Sequence, residues 1–193
     1  MINKGEQTKT FLISATRELI MENGCSKLTF KRIMERTNLS KGAIYHHVKN
    51  KNQLLALVLL ERNREINSRF FSEVDYNNPK LDGPLEEILA NIPSLSDPDE
   101  VSNQIFFYLL SQIHDSEVAE VLQQLYEQSY GMSKTWIKEG QENYVISKGI
   151  NADSTAELFT MLTYGLRVRS MISGNTKTDV LSGFIKDYLN KNK

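Results

Sequence analysis

Apolar residues recur every three or four positions along almost the whole chain, and no segment alternates with the two-residue period of a strand. The pattern predicts an all-α protein of about nine helices. The first fits Thr8 to Asn23, with Phe11, Leu12, Ala15, Leu19 and Ile20 on one face and Gly24 as its stop. A second is capped by Thr29 and runs to about Thr37, burying Phe30, Ile33 and Met34. A third is capped by Ser40, and a fourth opens at Asn50, where Asn50 and Gln53 have capping-box spacing, and continues to about Phe71. Further on, Pro84 and Pro98 each suit a first helical position, and Asp115 restarts the chain as a long helix towards Asn143. Two final helices are expected to begin with the capping box Ser154-Thr155-Ala156-Glu157 and with Thr178, with Gly174 between them.

Composition narrows this picture mainly by exclusion. The longest apolar run, Leu54 to Leu60, falls far short of the roughly 18 residues that cross a membrane. Ser14, Thr16, Arg17 and Glu18 interrupt the N-terminal stretch where a signal peptide needs apolar residues, so a cytoplasmic protein with no membrane partner is expected. Cys25 is the only cysteine, which rules out an intrachain disulfide and leaves no Cys/His set for a structural zinc site. No metal or cofactor is expected.

The net charge of −1 hides an uneven distribution. Ten lysines and arginines against four glutamates fall before residue 56, leaving thirteen basic against twenty acidic residues in the rest. Such a split suits a first segment that meets a polyanion. A chance imbalance on a solvated surface would look the same, so charge alone leaves the question open.

The segment Thr29 to Leu55 is more specific, because it reads helix, tight turn, short helix, then a further helix, the layout of a helix-turn-helix. Asn38 sits at the turn, where positive φ is needed and Asn tolerates it best after glycine. Leu39 plugs the angle between the helices. Ser40 caps the next one, whose Gly42 and Ala43 are small enough for a backbone to approach a groove wall.

Ser40-Lys41-Gly42, Ile44-Tyr45, His47 and Lys51-Asn52-Gln53-Leu54 stand in order and spacing as in the TetR (tetracycline repressor-like) family of transcriptional regulators, which this segment resembles. Two departures are visible: Asn38 replaces the family's turn glycine, and Val48 stands where a phenylalanine is usual. The resemblance implies that Lys41, Gly42 and Ala43 face the major groove of an operator duplex and that the Tyr45 hydroxyl meets a phosphate. His46 would touch base or backbone, His47 would pack within the head, and Lys51 and Thr29 would hold phosphates near helix N-termini. A helix-turn-helix domain over residues 1–50 would then precede a larger helical domain over 51–193.

The resemblance also implies a homodimer and an unidentified small-molecule effector. A head this small needs a second copy for specificity. The last two helices offer apolar faces wider than one neighbour covers, carrying Phe159, Leu162 and Leu166 on one and Leu181, Phe184, Ile185 and Tyr188 on the other. For the effector, Phe106, Phe107, His114, Tyr130, Met132, Trp136, Met161 and Tyr164 are candidate lining residues. Each of these groups is also what an ordinary helical core would contain. Two other functions compete: a DNA-binding regulator that answers to a protein partner or to no ligand, and an all-helical enzyme using Cys25 or a histidine. None of the three histidines has a recognisable catalytic neighbour in sequence.

Overall fold

The computed structural model describes residues 4–173 and 178–190. Among these, the regular structure is all helical: α1 Lys4–Asn23, a 3-10 turn Cys25–Lys27, α2 Phe30–Thr37, α3 Lys41–Tyr45, α4 Lys51–Ser72, α5 Asp82–Leu89, α6 Ile92–Leu95, α7 Val101–Leu110, α8 Ser116–Glu142, α9 Ala152–Ser173 and α10 Asp179–Asn190. None of the described helices is long and apolar enough to cross a membrane. Gly174, expected between the last two helices, lies outside the described residues.

The chain divides into two compact units, one built from residues up to Arg62 with Asp99–Leu125, the other from Asn63–Pro98 with Tyr126 onward. In the first unit Leu12, Leu19 and Ile20 of α1, Ile33 of α2, Ile44 of α3 and Leu54, Leu55 and Val58 of α4 share one core with Ile105, Leu109 and Val118 of α7 and α8. In the second, Leu81 and Leu85 with Ile92, Ile137, Ile146, Ile150, Ala156, Leu166, Ile185 and Leu189 form another.

Several expected boundaries move, each for a local reason. Phe11 was expected on the buried face of α1 but is 49% exposed, because it stands at the margin of a stripe centred on Leu12, Thr16 and Leu19. Thr16 sits buried in that stripe by donating its hydroxyl to the Leu12 carbonyl at 2.7 Å, a back-bond that removes the cost of burying it. Thr37 on Ile33 and Thr160 on Ala156 repeat the device. Pro98 lies in a turn and α7 begins only at Val101, the first residue of the Val101, Ile105, Leu109 row that reaches the core. Pro84 falls inside the first turn of α5 rather than opening it. α9 starts three residues before Thr155, since Asn151 Oδ1 accepts from the Ser154 N–H at 2.9 Å and supplies the cap.

The end of α8 depends on a close approach. The N–H groups of Val145 and Ile146 both donate to the Gly140 carbonyl at 2.9 Å, turning the chain back through Tyr144 at φ 60. A Cβ on Gly140 would stand 2.7 Å from Ile146 Cγ1 and 3.2 Å from its Cβ. Gly140→Ala is therefore expected to destabilise the fold by about 1–3 kcal/mol through overpacking, partly offset by helix propensity. Thermal melting followed by circular dichroism would register this as a lowered Tm, and an unchanged Tm would show that the 144–150 turn yields freely.

Candidate nucleic-acid interface

The reading head is assembled by short-range rules. Gly24 takes φ 75 and donates its N–H to the Ile20 carbonyl at 2.7 Å, closing α1. Thr29 Oγ1 accepts from the Arg32 N–H at 3.3 Å and opens α2. Asn38 occupies the left-handed region at φ 55, ψ 18, with its N–H on the Met34 carbonyl, so the departure from glycine keeps the turn. Ser40 Oγ then accepts from the Ala43 N–H at 3.2 Å and opens α3. Val48 is buried in the core, filling the position where the resemblance expects a larger ring.

This order leaves a consistent outer face. Ile44 is fully buried, which turns Lys41 and Gly42 outward, where both are exposed, and leaves Ala43 half-buried beside them. Tyr45 is 44% exposed: its ring packs edge-on against Phe30 at 5.2 Å while the Lys41 ammonium lies 5.5 Å from the ring centroid. The hydroxyl end is thus presented by a ring already held on both sides. His46 is exposed and His47 half-buried, the two rings meeting edge to face at 5.2 Å. Burial first, then the neighbouring His46 and Lys9, hold His47 below its ordinary pKa, which favours the neutral ring.

The connector into α4 is stapled. Gln53 N–H donates to Asn50 Oδ1 at 2.9 Å, and Gln53 Oε1 accepts from the Lys49 N–H at 2.9 Å, so the cap reaches one residue further back than a reciprocal box. Lys51, the first residue of α4, donates from Nζ to the Ser26 carbonyl at 3.3 Å and lies 4.6 Å from the centroid of Tyr108 on α7. Asn50 Nδ2 donates to Glu117 Oε2 at 2.7 Å. Arg36 ties α2 to α1 through Glu18 at 3.1 Å and Glu22 at 2.7 Å, which lowers the Glu22 carboxyl and raises the guanidinium. Sequence reasoning missed Tyr108, Glu117 and Ser26, because nothing local to them announces partners 25 to 67 positions away.

Cys25 is disfavoured as a nucleophile at neutral pH. It is buried, and burial pushes its thiol up to about 11 despite the nearby Lys51 charge, so the reactive thiolate is scarce.

The remaining candidates are split between the units. Phe106 and Phe107, ring to ring at 5.5 Å, and the exposed His114 belong to the first. In the second, Trp136 stacks on Phe70 at 4.9 Å and donates Nε1–H to Asn67 Oδ1 at 2.9 Å. Tyr130 donates to Asp153 at 2.7 Å, and Lys134 pairs with the same carboxylate. Met132 and Tyr164 are half-buried and Met161 is exposed. Of the residues expected at a dimer interface, Leu166 and Ile185 are buried in their own unit, Phe159, Leu162, Leu181 and Tyr188 are half-buried, and Phe184 is exposed.

Comparison with known proteins agrees with this geometry. Residues 12–58, from the middle of α1 into α4, match the family described as bacterial regulatory proteins, tetR family. The HTH-type transcriptional regulator UidR of Escherichia coli (strain K12) is 23% identical over 86% of this chain and 83% of its own. Among solved structures, Salmonella enterica GusR superposes with a TM-score of 0.65 at 18% identity over 98% of both chains. A SmeT–triclosan complex does so at 0.57 and 18% identity, over 87% of this chain and 82% of that one. The reading head thus carries the sequence pattern of the tetR family of bacterial regulatory proteins, and the chain is similar along most of its length to a helix-turn-helix transcriptional regulator.

Proposed function

We propose that this protein is a repressor that grips a palindromic operator through two copies of its head and is released by a small molecule bound in its C-terminal part. The observation that carries the reading is the outward face of α3: a left-handed Asn38 and a Ser40 cap turn Lys41 and Gly42 away from the core, with the half-buried Ala43 next to them and the Tyr45 ring braced beside them. Lys41 donates to guanine acceptors or phosphate, the small pair lets the helix backbone enter the major groove, and Tyr45, Thr29, Lys51 and His46 contact the flanking strands. Residues 1–50 form the DNA-binding part and 51–193 the part that pairs and senses.

Pairing is supported by apolar side chains left uncovered on α9 and α10. Met161, Val168 and Ile172 stand exposed at helical spacing on α9, and Val180 and Phe184 on α10. A second copy covering them builds an intersubunit four-helix bundle. Effector binding is supported by the aromatic and flexible apolar side chains of the body, and by the fold shared with SmeT, a protein solved with triclosan. An effector that prefers a body conformation with the heads wrongly spread releases DNA by population shift.

Selecting bound fragments from genomic DNA, with and without candidate effectors, tests this reading. The expected winners carry inverted repeats with half-sites about 34–36 Å apart, lost on adding the right effector. Enrichment without any inverted repeat would reject the paired-head architecture. Tyr45→Phe is expected to weaken fragment binding several-fold with an unchanged Tm, since only the hydroxyl is lost; full retention of affinity would remove the phosphate contact assigned to it.

A further inference from the structure

The contact between Lys51 and Tyr108 has no counterpart in the sequence pattern of the head. A lysine at the first position of a helix sits at the positive end of the helix dipole, where a cation is disfavoured, and a second one, Lys49, stands two residues before it. The fold holds the Lys51 ammonium there all the same. The Tyr108 ring lies 4.6 Å from Nζ, and the Ser26 carbonyl accepts from it at 3.3 Å. Beside it, Asn50 is fixed by Glu117 and by the Gln53 N–H, so the first turn of α4 is held from α7, from α8 and from within. Tyr108 itself is half-buried against the core shared by Ile105 and Leu109 and therefore gives a fixed platform.

We propose that Tyr108 is a positioning residue for DNA binding: its ring face, with the Ser26 carbonyl, sets where the Lys51 ammonium stands at the start of α4. This rests on the reading of Lys51 as a phosphate contact. A lysine that is already ordered loses less freedom when it meets the phosphate, so affinity rises without a new contact to DNA.

A double-mutant cycle on the full-length protein tests this, using a fluorescein-labelled duplex of mixed sequence and a range of salt concentrations. Lys51→Ala is expected to weaken binding about tenfold and to reduce the magnitude of the salt slope by about one. In a Tyr108→Leu background the same substitution is expected to cost less than about threefold, while Tyr108→Phe, which keeps the ring face, binds as the parent does. Tyr108→Met, an unbranched filler without a π face, repeats the cycle if the leucine variant fails to fold. Equal costs of Lys51→Ala with and without the ring, or tighter binding once the ring is gone, would overturn the proposal and leave the phosphate contact standing. An unchanged salt slope in the Lys51→Ala single variant would overturn both.

Discussion

Gly42→Glu is expected to reduce DNA affinity by at least about a hundredfold while leaving thermal unfolding where it was. The two effects separate because of where the space lies. A Cβ at residue 42 meets nothing nearer than Ser40 Oγ at 4.0 Å, so the fold accepts a side chain there. Replacing glycine inside a helix is favourable by up to about 1 kcal/mol, and a carboxylate in the first turn of α3 suits the helix dipole. The duplex is the party that objects, since the new side chain fills the gap between α3 and the groove and carries the charge of the phosphates. A lowered Tm would indicate that Gly42 has a folding role which the open space around it does not suggest, and retained affinity would mean that α3 does not face DNA.

Phe184→Glu is expected to convert the protein to a monomer at micromolar concentration. Its ring is 43% exposed and lies against Tyr188 at 5.8 Å, on a helix whose Val180 is also uncovered. An isolated copy loses little by the change, because the side chain already points to solvent. In the proposed pair the new carboxylate of each copy would be buried where the parent protein buries an apolar ring, which costs far more than it costs the isolated copy. Losing the second head removes the avidity of the pair, so affinity for a two-half-site operator should fall about 10²–10⁴-fold, with a smaller loss on an isolated half-site. Sedimentation velocity decides the matter: a persisting dimer would place the interface elsewhere.

The head was legible in the sequence because it is built from contacts spanning a few residues. Gly24, Thr29, Asn38, Ser40 and Asn50 each perform in the structure the local role their residue types announce, and the stop, turn and cap bonds behind those roles span no more than four positions. The order and class of the helices followed from the spacing of apolar residues for the same reason. Boundaries were less legible where two local signals competed. Asn151 and Ser154 are both good caps, and only the burial of Ala152 decides for the first. Pro98 and Val101 are both plausible starts, and the core row of α7 decides for the second.

Contacts between distant segments were not legible at all. Lys51 reads as a free cation in sequence, and its engagement by Tyr108 and Ser26 appears only when α4, α7 and the 3-10 turn are brought together. Trp136 and Tyr130 likewise read as candidate lining residues, whereas the structure gives each a hydrogen-bond partner, Asn67 and Asp153. An aromatic at helical spacing looks the same whether it packs on its neighbours or waits for a ligand, and periodicity carries no information about the difference.

The central claim is that α3 enters the major groove while cations around it neutralise the strands. Titrating the full-length protein into labelled duplex at low ionic strength and then at rising salt measures this directly. The expected result is binding whose affinity falls steeply and linearly in log–log form as salt rises, and which Gly42→Glu abolishes. No binding to any double-stranded fragment at low salt would contradict the account, as would binding that ignores salt.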